Sequence, residues 1–495
     1  MQSNRKTSTR HTSSSPIQAQ EFELSSIDIA QGDADLNFVL FYYGASKRHK
    51  KRRLPVGRLK ASLISAVQQF PIMLGRAVPT SDNCGLKVVV DPDNLNWPDI
   101  TEVSASNMSI ASLQRNGFAW SHWPQATYTM DLAQRPSQPM VGVHIMRYVC
   151  GGISVHIKIR HLIVDGNGAW RFYSVWAQIC REACKKYGGR FLVRPQDKEL
   201  LLPSRLPMFD KLQPSVHSQG IEKASDVAAE YIDKMLQFFD RVTERRLHTS
   251  SVFSADTYDY SVRKFALTHK AVTRLKAVHG QLANCSPEHM PFVRAHNITY
   301  VSTNDLVCSV FWRAITRAHY ELDPSDPNTC MMLACDMRSR IGLPPTYTGN
   351  ASFPLIMHMD KSQMQRQTIT DTATWIRQQL SILSPAYARN MSLLLSISED
   401  LQKLISIFHP SNSFFSASIV NGFPMFDMVD FGFGKPVHID IPAYITPGFS
   451  LWMPTRTTGQ SAKAPTTNID IALREDIYQL IINDSEFNEY LEVLY

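Results

Sequence analysis

Two residues that can move or hold a proton stand four positions apart in RHLIVDGNGAW, residues 160–170: His161, and Asp165 followed by Gly166. Imidazole changes charge near neutral pH, and the neutral ring can take a proton from a hydroxyl or amine. The run before it, ISVHIKIRH, alternates cleanly. Ile153, Val155, Ile157, Ile159 and His161 share one parity, and Ser154, His156, Lys158 and Arg160 share the other. Side chains along a strand point to opposite faces in turn, so His161 continues the apolar face and the polar set is expected to face outward. At the edge of a core, desolvation lowers the imidazole pKa and keeps the ring neutral, as a general base must be. His156 has the opposite parity, so the two histidines cannot share a metal ion, and no metal is expected.

Asp165 stands where the chain leaves the strand and turns into a helix. A carboxylate there can pair with an arginine and lock the turn. It can also reach the imidazole as the acid of a triad. The short His-to-Asp spacing suits the first role, because the two side chains need not face each other.

The elements that must hold these residues follow from pattern. LNFVLFYY (36–43) is β-branched and aromatic and predicts a strand. PVGRLKASLISAVQQFP (55–71) carries Leu59, Leu63 and Val67 at helical spacing and stops at Pro71. Residues 141–163 predict two strands joined near Cys150-Gly151-Gly152, and 168–189 a helix ending at a glycine pair. A Pro-rich, charged stretch over 190–222 is the linker candidate. Helix 226–246 and strand 258–267 follow. A capping box, Ser302 to Asp305, opens the next helix. Residues 328–341 predict a buried strand, and a strand–helix pair closes the chain. Strands and helices mixed throughout 495 residues predict α/β layers in two units.

Composition narrows the classes. The chain is 44% hydrophobic and 19% charged, with no apolar run long enough to cross a bilayer. Its net charge is +7, of which six belong to KRHKKRR at 47–53, so the remainder is nearly neutral. A nucleic-acid-binding face would need basic residues spread over the fold, so no nucleic-acid partner is expected. The run falls between the first strand and the first helix and is read as a solvated loop. Residues 1–20, rich in Ser, Thr and Arg, are read as a disordered tail. Eight cysteines without a Cys-x-x-Cys pair are read as reduced thiols of a cytoplasmic protein.

A second motif lies far downstream: DFGFGKP, Asp430 to Pro436. With His-x-x-x-Asp-Gly midway and this sequence near the end, the chain resembles the BAHD-type acyl-CoA-dependent acyltransferases. The likeness runs through LKASLISAVQQFPIMLGR, CGGISVHIKIRHLIVDG, STNDLVCSVFWRAITRA, DMRSRIGLPPTYTGN and PGFSLWMPTR, in the family's order over roughly residues 25 to 490. The resemblance implies a two-lobed chloramphenicol-acetyltransferase-like α/β fold, with mixed sheets flanked by helices and a channel between the lobes. The first lobe would take residues 21–215 and the second 216–495, with some exchange of segments. It implies an enzyme that moves an acyl group, other than an amino-acyl group, from acyl-CoA to a small alcohol or amine. His161 would be the general base. No covalent acyl-enzyme and no resident cofactor would be needed, and the protein would be a monomer.

The resemblance also implies that Asp165 is structural and paired with Arg338 or Arg340, which share a parity on their strand, so the sequence does not say which of them pairs. Asp430, Gly432 and Gly434 are assigned to architecture and to shaping the CoA end. Phe433 stands where the family usually has Trp. The Trp of a Ser/Thr-Trp pair that many plant members carry upstream is missing from SASIVNGFPMFDMV, leaving Ser416 or Ser418 as candidate oxyanion donors. These departures point to a fungal-type member of secondary metabolism. Two other readings share the scaffold. A peptide-synthetase condensation domain would carry a histidine where Arg160 stands, and a non-catalytic binding protein would not need His161 and Asp165 intact.

Overall fold

The computed structural model describes residues 17–32, 34–44, 56–81, 85–105, 107–124, 138–185, 208, 260–397, 413–442, 448–456 and 466–495. The basic run at 47–53, most of the linker candidate, the 226–246 helix and the boundary between residues 215 and 216 lie outside these residues. So do residues 1–16 of the expected tail, whereas Gln20 already opens a strand, β1 (Gln20–Glu23). Among the described residues, no helix is long and apolar enough to cross a membrane.

Three sheets organise the described residues. β1 pairs with β4 (Leu86–Val90), which pairs with β3 (Arg76–Pro79), all antiparallel. The second sheet has five strands in the order β12–β2–β7–β6–β5: His438–Asp440, Asp35–Tyr42, Ile153–Arg160, Val141–Tyr148 and Asp99–Ala105. Only its β5–β6 pair is parallel. The third has seven, in the order β10–β9–β11–β13–β14–β8–β15. They are Ser352–Asp360, Asn328–Asp336, Phe414–Ile419, Phe449–Trp452, Thr466–Arg474, Tyr260–Thr268 and Glu492–Val493. β11 runs parallel to both its neighbours. The late strand β12 joins the early strand β2, so the end of the chain completes the sheet that carries His161.

The five-stranded sheet is buried on both faces, which corrects one expectation. Phe38, Leu40, Val155, Ile157 and Ile159 pack toward the helices Val56–Val67 and Gly166–Lys185. Val39, Phe41, Met146 and Tyr148 pack the other way, under Phe118 and Trp123. Ser154 and His156 therefore lie inside rather than outward. Each has a polar partner: Ser154 bonds Tyr148 Oη at 3.2 Å and His156 bonds Asn37 at 3.2 Å. The two helices lock through Trp176, whose indole N–H donates to Leu59 O (3.2 Å) and Ser62 Oγ (3.0 Å).

Across the seven-stranded sheet lies the helix Thr303–Leu322, capped as the Ser302/Asp305 spacing predicts. Its Phe311 stacks on Phe415 of β11 and meets Phe265 of β8 edge-on. The two larger sheets are pinned by a buried cation. Lys264 Nζ on β8 reaches Asp470 of β14 at 2.9 Å and Asp440 of β12 at 2.6 Å.

Candidate active site

His161 stands one residue past β7. Its amide donates to Ala34 O at 2.8 Å, which carries the pairing with the β2 side one step beyond the strand. The residue is half-buried, and its ring is held by Asn350. Asn350 Nδ2 donates to Asp28 Oδ1 (2.8 Å) and to His161 O (2.8 Å). Both amide hydrogens are thereby used. A flipped amide would set its oxygen against a carboxylate and a carbonyl, so the orientation is fixed. Asn350 Oδ1 must then accept at 3.1 Å from His161 Nδ1–H. The neutral ring carries its proton on Nδ1 and keeps the lone pair on Nε2. Burial holds the imidazole below its usual range, against the opposing pull of Asp165, Asn350 and Asp28.

Asp165 is committed elsewhere. Its carboxylate accepts two bonds from Arg338, Nη1 and Nη2 each at 2.8 Å. It accepts two more from backbone amides, Gly168 at 2.9 Å and Ala351 at 3.0 Å. Burial works to raise its pKa, and the guanidinium and the two amides outweigh that, holding the carboxyl below the usual range. Its amide bonds link the first turn of the Gly166–Lys185 helix to the segment that carries Asn350. Asp165 thus sets the position of the imidazole's partner without bonding the imidazole.

Arg338 is the partner, but not on a strand. β9 ends at Asp336, and Arg338–Ile341 form one helical turn, which corrects the shared-strand expectation. On a helix, residues two apart face different ways. Arg338 is buried, and it also donates to Tyr347 O (3.0 Å) and Gly349 O (2.7 Å). Arg340 is exposed and bonds Leu380 O and Leu383 O at the surface. A third close contact involves Gly168, where a methyl group would overlap the carbonyl oxygen of Thr348. Only glycine lets the helix start sit on the 348–351 backbone.

The Asp430 loop is built into the framework. Asp430 Oδ1 accepts from the amides of Gly432 (2.7 Å) and Gly434 (3.0 Å), and both glycines have positive φ, 92° and 112°. Arg181 of the long helix donates to Asp430 O at 2.6 Å. Phe431 packs on Trp176 and Tyr42, and Phe433 fills the place beside them. Ser416 and Ser418 share a face of β11, since they are two apart. Ser416 is buried, whereas Ser418 keeps part of its surface open.

Asn350 closes the segment DMRSRIGLPPTYTGN, whose pattern assigns it no role, and nothing in the sequence singles out Asp28. The spacing Ser25-x-x-Asp28 does announce a capped helix, Ser26–Ala30. It says nothing of a partner more than three hundred residues away.

Comparison with known proteins places the chain in a family. Residues 4–473 match the model of the Transferase family. A hydroxycinnamoyl-CoA:piscidic acid hydroxycinnamoyltransferase of Actaea racemosa is 22% identical over 354 residues, covering 68% of this chain and 68% of that protein. Anthranilate N-benzoyltransferase protein 1 of Dianthus caryophyllus is 22% identical over 338 residues, 67% of this chain and 65% of the relative. The fold is shared with F. graminearum TRI101, solved with coenzyme A and T-2 mycotoxin. The TM-score is 0.72 at 15% identity, over 96% of this chain and 100% of that one. The chain belongs to the Transferase family, that of the BAHD-type acyl-CoA-dependent acyltransferases.

Proposed function

We propose that this protein transfers an acyl group from an acyl-CoA thioester to a hydroxyl or amine of a small organic acceptor, with His161 as general base. The observation that carries the reading is the fixed Nδ1–H tautomer of His161, which leaves the Nε2 lone pair for the acceptor. The acceptor's proton passes to Nε2 as its oxygen or nitrogen attacks the thioester carbonyl carbon. The C=O electron pair moves onto oxygen, giving a tetrahedral intermediate. Collapse re-forms the carbonyl and breaks the C–S bond. The departing CoA thiolate takes the proton back from Nε2. The products are an ester or amide and free CoA thiol, and the base is restored. Acyl-CoA is the co-substrate, and no acyl-enzyme forms.

Holding both substrates in one site replaces a bimolecular encounter with an oriented reaction. Ser418, the candidate hydroxyl with open surface, is assigned to the oxyanion. Asp165, Arg338 and the Asp430 loop are framework. His161, Asn350, Asp28, Asp165 and Arg338 all come from one chain, and the described cysteines are free and mostly buried. Both features support a monomer in the cytoplasm.

The test is CoA release measured with acetyl-, malonyl- and aromatic acyl-CoA against a panel of alcohols and amines, with product masses to identify the bond formed. The wild type should turn over with at least one pair. Folded His161→Ala should lose about 10²–10⁴-fold. Near-normal turnover by that variant would remove the base assignment.

A further inference from the structure

The carboxylate nearest His161 in sequence is spent on Arg338, yet a different carboxylate stands behind the ring. We propose that Asp28 is a positioning residue for acyl transfer. It orients Asn350, and through that amide its charge supports the imidazolium that His161 becomes while holding the acceptor's proton. The proposal rests on the reading of His161 as general base.

Asp28 is wholly buried, and its two oxygens have separate duties. Oδ2 accepts from Ser25 N (3.0 Å) and Ser25 Oγ (2.6 Å), which closes the cap of the Ser26–Ala30 helix. Oδ1 accepts from Asn350 N (3.1 Å) and Asn350 Nδ2 (2.8 Å). A helix cap needs only the first pair. The second pair grips one residue by both its backbone and its side chain, and that residue is the one bonded to the catalytic ring. The helix itself bridges the two large cores: Ile27 lies in the one around the seven-stranded sheet, and Ile29 packs on the other. Asp28 is therefore held rigidly between them.

An amide between carboxylate and imidazole has a chemical consequence. A carboxylate in direct contact would raise the imidazole pKa more strongly and enlarge the fraction of rings that are protonated at rest and cannot act as base. At one amide's remove, the carboxylate polarises Asn350, draws on its N–H bonds and makes Oδ1 a better acceptor. The gain is largest when Nδ1–H belongs to an imidazolium. The arrangement thus favours the charged ring during proton transfer more than at rest, and only such differential stabilisation raises kcat.

The experiment uses the full chain and the acyl-CoA and acceptor pair found in the turnover screen. Asp28→Asn keeps the size and removes the charge. Its kcat should fall about ten- to a hundredfold, the usual range for an outer-shell partner, with both KM values within about twofold. The acid limb of its pH–kcat profile should move to lower pH, because the imidazolium has lost support. In an Asn350→Ala background, Asp28→Asn should cost little further, since its effect passes through the missing amide. A folded Asp28→Asn with wild-type kcat and an unmoved acid limb would overturn the proposal, as would fully additive losses. Should Asp28→Asn not fold, Asn350→Ala leaves the Ser25–Asp28 cap in place. It must itself lower kcat and move the limb, and no change there would also refute the relay. If His161→Ala turns over normally, the general-base reading has failed. If that variant is inactive while Asp28→Asn behaves as wild type, only the role of Asp28 falls.

Discussion

Replacing Asp165 with asparagine separates an anchor from a catalytic acid. The carboxylate accepts four bonds, two on each oxygen, and pairs with an arginine; the two residues are 2% and 4% exposed. Asparagine can replace one oxygen and its two bonds. Its NH₂ must then face the other two donors, one guanidinium N–H and one backbone N–H. A lost bond to a charged group is worth about 1.5–3 kcal/mol and a neutral one about 1 kcal/mol. The sum, roughly 2.5–4 kcal/mol, overlaps the lower part of the 3–5 kcal/mol range for breaking a buried pair. Asp336, at 3.1 Å from Arg338 and largely open to water, keeps the loss from rising further.

The assay is a urea midpoint at constant m, with kcat expressed per folded molecule. The midpoint should fall, and kcat per folded molecule should drop far less than the thousandfold or more typical of a lost triad carboxylate. Because its folded pKa lies below the unfolded one, Asp165 stabilises the fold fully above the unfolded value. That contribution disappears as pH falls through the folded value. The gap between wild type and variant should hold from about pH 8 to 5 and close below about pH 4. A hydrophobic pair at 165 and 338 should recover only part of the loss, since Tyr347 O and Gly349 O also lose their donor. A variant with the wild-type midpoint and a thousandfold lower kcat would refute the anchor.

Three further outcomes are expected. The acid limb of the kcat/KM profile should report a group below the ordinary imidazole value near 6.5, because burial disfavours the charged ring, and a limb above pH 7 would contradict the site's electrostatics. Ser418→Ala should lower kcat by about 10²–10³-fold, the cost of an oxyanion donor, while Ser416→Ala should leave it nearly unchanged; the reverse order would reassign the donor. Gly168→Ala should lower the urea midpoint by about 1–3 kcal/mol of stability, because the added methyl meets the rigid carbonyl of Thr348, and an unchanged midpoint would show that the contact yields.

Much of the fold was legible because it is local. Strand β2, the strand pair Val141–Tyr148 and Ile153–Arg160, and the capped helix Thr303–Leu322 all carry their signals in consecutive residues. Ile153, Val155, Ile157 and Ile159 share one core as their parity predicts, and His161 follows one residue past the end of that strand. What failed depended on neighbours from elsewhere. Ser154 and His156 sit on a polar parity, and only the Phe118 and Trp123 layer above the sheet makes that face interior. Arg338 and Arg340 were equivalent on a strand. The chain turns into a helix after Asp336, which sends one guanidinium inward and the other to the surface. Asn350 and Asp28 were invisible as partners because they are 322 positions apart and neither needs the other to form its own local element.

The buried charges divide their work in a way that explains the motif. A buried ion pair is a poor source of net stability, because desolvation consumes most of the attraction, but it penalises any other arrangement of the groups around it. Lys264 with Asp440 does this where β12 of the five-stranded sheet meets β8 of the seven-stranded one. Asp165 with Arg338 does it where the Gly166–Lys185 helix meets residues 347–351. Arg338 binds the carbonyls of Tyr347 and Gly349, and Asp165 binds the amide of Ala351. Asn350 lies between these fixed points and is held from its other side by Asp28. The imidazole orientation is therefore set by a short segment clamped by two carboxylates from different parts of the chain. His-x-x-x-Asp-Gly records one clamp and the ring it serves; the second clamp leaves only the mark of an ordinary helix cap.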